Sequence, residues 1–248
     1  MGLLTEEKNV VIPGQLLAEG MDYLPAQGTY REGENIYASQ LGITNLSGRL
    51  IKIIPLTGRY IPKAGDFVIG KVNNINFSSW SVDIDYAYEA QLSLKEATSE
   101  FIERGEDLSQ YFNFGDIIMA KIINVTPSKA IDLSMKGPGL RKLTQGRIIR
   151  IASPKVPRVI GKQGSMISLI KELTCCRISV GQNGLIWLAG NDLASEALAI
   201  SAIDLIDKEA HTEGLTERVK EFLESQRPAG ASSSVEPDNN DVPMGDEQ

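Results

Sequence analysis

The chain has 248 residues, 42% of them hydrophobic and 23% charged, with a formal net charge of −7; this is globular material, long enough for two or three domains with their own cores. No apolar run approaches the roughly 18 residues of a membrane-spanning helix, and the N-terminal Met1-Gly2-Leu3-Leu4-Thr5-Glu6-Glu7-Lys8 lacks a charged-then-apolar signal pattern, so an intracellular, cytoplasmic protein without membrane contact is expected. The two cysteines, Cys175 and Cys176, are adjacent and the only histidine is His211. No zinc-ligand set or nucleophile-base pair can be assembled from them, so neither a metal, a cofactor nor catalysis is expected.

Residues 1–62 read as a small β domain. Short apolar pairs alternate with breakers, as in Val10-Val11-Ile12-Pro13-Gly14, Gln27-Gly28-Thr29-Tyr30 and Leu50-Ile51-Lys52-Ile53-Ile54-Pro55. The acids Glu6, Glu7, Glu19, Asp22, Glu32 and Glu34 have no histidine or cysteine partner, and no glycine cradle follows a strand. A scaffold or docking role is the consequence.

From Lys63 the strands lengthen. Segments 66–75, 80–85, 87–92, 117–125 and 130–135 are separated by turns and by a helical insert from Leu94 to Arg104, and five strands so spaced fit a small closed barrel. The run Gly65-Asp66-x-Val68-x-Gly70-x-Val72, then Phe77 and Trp80, then Gly115-Asp116 and Leu133-Ser134-Met135-Lys136, resembles an S1-like OB fold over residues 63–140. The resemblance implies single-strand binding, with Phe77 and Trp80 stacking bases and Lys71 and Lys121 contacting the nucleic-acid backbone. Two positions depart from that family: Ser93 stands where a histidine is common, and Asp132 where a basic residue usually sits. The segment 63–137 carries 7 basic and 11 acidic residues. The competing reading makes Phe77 and Trp80 rim or core aromatics of a barrel used for assembly.

Residues 138–145 read as a short linker, after which Arg147–Ile151 alternates as a strand. Pro154–Leu173 holds a Gly161-Lys162-Gln163-Gly164 turn between two short helical runs, with Ile167, Ile170 and Leu173 as the apolar stripe of the second. Two bracketing glycines let backbone approach a sugar-phosphate chain, and the following helix N-terminus favours an anion. Strands at 177–180 and 185–188 are joined by Gly181-Gln182-Asn183-Gly184, whose Asn-Gly is a hairpin signal, and a helix from Asn191 to Lys208 closes the unit. This order, with Val-Ile-Gly-Lys-x-Gly at the turn, resembles a type I KH domain over residues 141–212, a module whose G-x-x-G loop clamps about four nucleotides of a single strand. From Gly146 to Gly190 seven basic residues, Arg147, Arg150, Lys155, Arg158, Lys162, Lys171 and Arg177, face the single acid Glu172. A solvated basic face would look the same, but here the charge falls on the segment that carries the clamp. Gly161, Lys162, Gln163, Gly164, Arg158 and Lys155 are therefore the candidate contacts.

In residues 213–248, Leu215, Val219, Phe222 and Leu223 give an amphipathic helix to Arg227, and Pro228–Gln248, with five acids and no base, reads as disordered. The fold class is thus multidomain, β-rich plus α+β: a small N-terminal β domain, a five-stranded barrel and a KH domain. That order, together with Val11-x-Pro13-Gly14, Gly28-Thr29-Tyr30 and Arg59-Tyr60-x-Pro62-x-x-Gly65-Asp66, is similar to the RNA-binding cap subunits of the archaeal exosome, homologues of eukaryotic ribosomal-RNA-processing protein four. The resemblance implies a non-catalytic subunit that recruits single-stranded RNA, A-rich 3′ ends being one candidate, to a ring of ribonuclease-PH-like subunits. It implies three copies per ring, alone or mixed with a second cap subunit, docked by the N-terminal domain; degradation and tailing of RNA belong to the ring. Two alternatives stand. A polynucleotide-phosphorylase-like enzyme is opposed by module order and by the 62 residues left for a catalytic core; a free-standing RNA-binding or translation-linked protein is compatible with the same modules.

Overall fold

A computed structural model describes residues 2–98, 108–210 and 214–226. The chain divides into two compact units, Met1–Arg59 and Tyr60–Gln248. Among the described residues no helix is long and apolar enough to cross a membrane.

The first unit is built from short strands: β1 (Val10–Val11), β2 (Leu16–Glu19), β3 (Leu24–Pro25), β4 (Thr29–Glu32), β5 (Asn35–Ala38), β6 (Gly42–Ser47) and β7 (Leu50–Pro55). They form two small sheets, β1-β6-β7-β3 and β2-β5-β4, antiparallel except for β3 beside β7. Alternation along β7 buries Ile51 and Ile53 and exposes Leu50, Lys52 and Ile54, the period-2 signature of a strand with one face in a core. Val11, Leu17, Ala18, Ile36 and Ala38 complete that core. Two glycines sit flush on it: a Cβ at Gly28 would lie 2.9 Å from the Ile53 Cβ, and one at Gly42 2.3 Å from the Ile53 Cγ2.

The second unit opens with a closed barrel of β8 (Phe67–Ile75), β9 (Ser79–Asp83), β10 (Ala90–Ser93), β11 (Ile117–Val125) and β12 (Ile131–Ser134). The order β12-β10-β9-β8-β11 is closed by pairing of β12 with β11. Val68, Val72, Trp80, Val82, Leu92, Ile118, Ile122 and Leu133 fill the interior. Register shifts at Val72/Asn74 and Ile122/Asn124 bend the two long strands, as closure of so small a barrel requires. The expected helical insert is present as α1 (Leu94–Ala97), which ends at Thr98 in extended backbone; the remainder of that expectation, to Arg104, lies outside the described residues. Residues 138–145 are more than a linker. Arg141–Leu143 forms β13, paired with β11, and Leu143 is buried.

The rest of the unit runs β14 (Arg147–Arg150), α2 (Val156–Ile160), α3 (Ser165–Thr174), β15 (Arg177–Val180), β16 (Leu185–Ala189), α4 (Leu193–Glu209) and α5 (Leu215–Gln226). The sheet is antiparallel in the order β14-β16-β15. One face packs Ile178, Val180, Ile186 and Leu188 against Val159, Ile170, Ile203 and Ile206 of the helices. The Asp192 carboxylate caps α4, accepting from the Ser195 N–H at 2.9 Å and its hydroxyl at 2.6 Å; both bonds favour the charged form and hold its pKa down. α5 docks through Leu215, Val219 and Leu223. His211 and the tail from Arg227 lie outside the described residues.

The other face of this sheet is not free. Trp187 and Ala189 pack with Ile69 and Met119 from the outside of the barrel and with Leu143 of β13, and the β15–β16 turn enters the ladder where β9 stops pairing with β8. Gln182 exchanges two hydrogen bonds with the Phe67 backbone, at 2.8 and 2.9 Å. The Asn183 amide donates to the carbonyls of Ile69 and Ile84, at 2.7 and 2.9 Å, and its oxygen accepts from the Ile69 N–H at 3.3 Å. Barrel and KH-like sheet are thereby joined through backbone that would otherwise be a bare strand edge.

Candidate nucleic-acid interface

Pro157 in the first turn of α2 presets its dihedral, and Gly161 ends the helix at φ 75° and ψ 176°. Only glycine fits there, since a Cβ would lie 2.7 Å from the Met166 nitrogen. Gln163 and Gly164 follow in the left-handed region, at φ 52° and 77°, and turn the chain into α3. The consequence is a tight corner that presents exposed Lys162 and Gln163 in front of a helix N-terminus, where first-turn amides and the positive dipole end attract an anion.

The basic window resolves into two populations. Arg147 pairs with Glu196 at 3.0 Å and Arg150 with Asp85 at 2.7 Å. The Lys155 ammonium donates to the Asp207 carbonyl at 2.6 Å and lies 3.2 Å from its carboxylate. Lys155 therefore holds the C-terminal turn of α4, where a cation suits the helix dipole, and does not stand free at the phosphate turn as the sequence suggests. Arg177 lies over the Trp187 ring, 5.9 Å from its centroid. Arg158 and Lys162 are exposed, and neither is in an ion pair among the described residues. They are the cations that remain available beside Gly161–Gly164.

On the barrel the four expected residues separate. Phe77, in the β8–β9 turn, is 82% exposed and offers its ring to solvent. Trp80 is 0% exposed. Its indole N–H donates to the Phe112 carbonyl at 3.0 Å, and the Phe112 ring meets it edge-on at 5.4 Å. A ring so enclosed has no face on which a base could stack, so Trp80 is corrected to a core residue. Lys71 is exposed near the middle of β8. Lys121 sits opposite Phe67 with its ammonium 5.4 Å from that ring's centroid. Phe67 opens β8 and Phe77 lies just past its end, so roughly 30 Å of strand at about 3.4 Å per residue separates Lys121 from the exposed aromatic. Those two do not form one patch.

Beside Phe77 the outer face carries uncharged hydrogen-bonding groups that the sequence reading does not single out. The Gln91 amide donates to the Ser81 hydroxyl at 3.1 Å and accepts from the Ser79 hydroxyl at 3.2 Å, while the Asn76 amide donates to Ser81 at 3.2 Å. Asp132, which replaces the usual basic residue, is opposite Gln91 and accepts from the Asn124 amide at 3.1 Å. Alternation of polar residues on β9 and β10 is the signal that could have found them. Phe114, 62% exposed, is likewise not singled out; its signal is an aromatic inside the turn sequence Asn113-Phe114-Gly115-Asp116.

Comparison with known proteins matches three domain families in succession: the exosome RNA binding protein RRP4 N-terminal domain over residues 8–57, the RRP4 S1 domain over 59–124, and the KH domain over 146–204. The exosome complex component Rrp4 of Pyrococcus abyssi is 47% identical over 227 residues, 90% of this chain and 85% of that protein. The protein of the same name from Methanothermus fervidus is 45% identical over 222 residues, 89% of this chain and 97% of that one. A crystal structure provisionally described as an exosome complex RNA-binding protein superposes with a TM-score of 0.62 at 37% identity, over 68% of this chain and 98% of that one.

Proposed function

We propose a function from one premise: this chain belongs to the Rrp4 family of exosome RNA-binding proteins. It is an exosome component with S1 and KH domains, and no catalytic domain is among the families matched. Its role is to cap the ribonuclease-PH-like ring, three copies to a ring, alone or with a second cap subunit, and to bring single-stranded RNA to the pore for 3′-to-5′ degradation and tailing in the cytoplasm. The first unit would hold the ring. Exposed Val10, Leu24, Leu50 and Ile54 on its short strands, with Ile12 just after β1, support that assignment, since apolar side chains gathered on a small domain mark contact surfaces.

The observation that carries RNA recruitment is the Gly161–Gly164 corner, with Arg158 and Lys162 exposed beside it in a chain whose net charge is −7. Changing Lys162 and Gln163 together to Asp tests it. Asp tolerates the left-handed conformation of Gln163, so the corner keeps its shape while two charges enter where phosphate would lie. A poly(A) strand titrated at several salt concentrations should bind more weakly. The slope of log affinity against log salt should also flatten by about 0.7 for each single-strand phosphate that the variant no longer grips. Unchanged affinity and slope would make the corner purely structural.

A further inference from the structure

We propose that Phe114 is a base-stacking residue for single-stranded RNA, standing on the barrel surface in the place that the burial of Trp80 leaves vacant, with Lys71 beside it for a phosphate. The inference rests on the RNA-recruiting role argued above and adds a residue to it.

A set of backbone hydrogen bonds holds Phe114 out. Its own N–H donates to the Asn113 side chain at 2.7 Å, and the Asn113 N–H donates to the Asp116 carboxylate at 2.7 Å. Just after Phe114 the turn is stapled to the barrel: Gly115 N–H donates to the Val72 carbonyl, and Val72 N–H to the Asp116 carbonyl, both at 2.8 Å. Two residues earlier, the Phe112 carbonyl takes the Trp80 indole N–H at 3.0 Å. The buried Trp80 therefore anchors the segment that displays Phe114. A ring held this way loses little conformational freedom when it binds, which is what a stacking platform needs.

The surroundings favour a nucleic-acid base over an apolar partner. The Lys71 stem runs past the turn, its Cε 3.9 Å from where a Cβ on Gly115 would lie, and the residue is exposed. The acid of the turn, Asp116, is ion-paired with Lys142 at 2.5 Å, which offsets its charge beside Lys71; Asp83 stands opposite Lys71 in the β8–β9 pair. Phe77 follows on from the same strand. It comes five positions after Val72, where the turn is stapled, or about 17 Å of extended chain, so a single strand several nucleotides long could meet both rings. An aromatic face flanked by a cation on a sequence-tolerant surface is the combination used to bind single strands.

The test uses the full-length chain and a labelled oligo(A) strand. Phe114→Ala should weaken binding about fivefold or more, with an unchanged salt slope and an unchanged melting temperature. A second variant, Phe114→Trp, puts a reporter on the turn: its added indole emission, taken over that of the parent, should be quenched by oligo(A). An affinity unchanged in Phe114→Ala while Phe77→Ala weakens binding would overturn this inference and leave the RNA-recruiting role standing, as would emission that does not respond. Loss of association with ring subunits at unchanged RNA affinity would make Phe114 a protein contact and likewise overturn it. A parent chain that does not bind oligo(A) would sink both readings together.

Discussion

Trp80 and Phe77 stand three positions apart on one hairpin and do opposite things. An odd spacing within a strand places two side chains on opposite faces; Trp80 is in β9 and points inward, whereas Phe77 belongs to the turn and points out. The sequence shows two aromatics at family positions but not which side of the sheet each takes, because a register set one residue differently would exchange them. The consequences can be measured apart. Trp80→Ala should cost about 3–5 kcal/mol in urea unfolding, from a large cavity and a Phe112 carbonyl left without its donor. Phe77→Ala should stay within about 0.5 kcal/mol of the parent in stability, yet weaken RNA binding by about 1–3 kcal/mol. Equal stability losses in the two variants would contradict this division. Lys155 teaches the same lesson for charge: its sign is legible in the sequence, but its partner Asp207, 52 positions away, is not.

At the scale of elements, two turns of the same Gly-x-x-Gly composition take different work. Gly161–Gly164 presents its middle residues to solvent, while Gly181–Gly184 inserts into the barrel with Asn183 only 2% exposed. The elements themselves were legible because their signals are local. An Asn-Gly pair marks the β15–β16 hairpin, and the apolar stripe of α3 follows helical spacing. Docking was not legible, since Asn183 meets Ile69 across 114 positions and its Asn-Gly signal announces only a turn. The same holds for β13, whose three residues become a strand because β11 offers an edge. Asn183→Ala would orphan the Ile69 N–H and remove the donors to two carbonyls in a buried seam. At about 1–3 kcal/mol for each buried group left unsatisfied, the variant should lose roughly 3 kcal/mol or more in urea unfolding. A loss below about 1 kcal/mol would mean that water replaces the amide and that the seam is wetter than described.

For the whole molecule, charge and division of labour point the same way. With a net charge of −7 the chain as a body does not attract a polyanion, so the proposed RNA recruitment relies on the local cations at the KH corner and on stacking, which depends little on salt. The first unit has no Gly-x-x-Gly corner, and its exposed apolar residues suit it to the docking role proposed for it. Separating the two tasks requires a cut that respects the cores. Tyr60 is buried in the barrel and its hydroxyl donates to the Asp66 carboxylate at 2.6 Å; burial first, and then that neighbouring carboxylate, push the phenol's pKa up, so it remains a neutral donor. A deletion through residue 62 would remove this anchor and confuse docking with stability. A chain starting at Tyr60 keeps it. That chain should unfold cooperatively, as the barrel and KH cores belong to one unit, and should bind poly(A) as the full chain does. It should fail to co-elute with a preassembled ring on size exclusion, where the full chain co-elutes. Co-elution of the shortened chain would move the docking surface into the second unit, and loss of poly(A) binding by a chain that still folds would bring the first unit into RNA recognition.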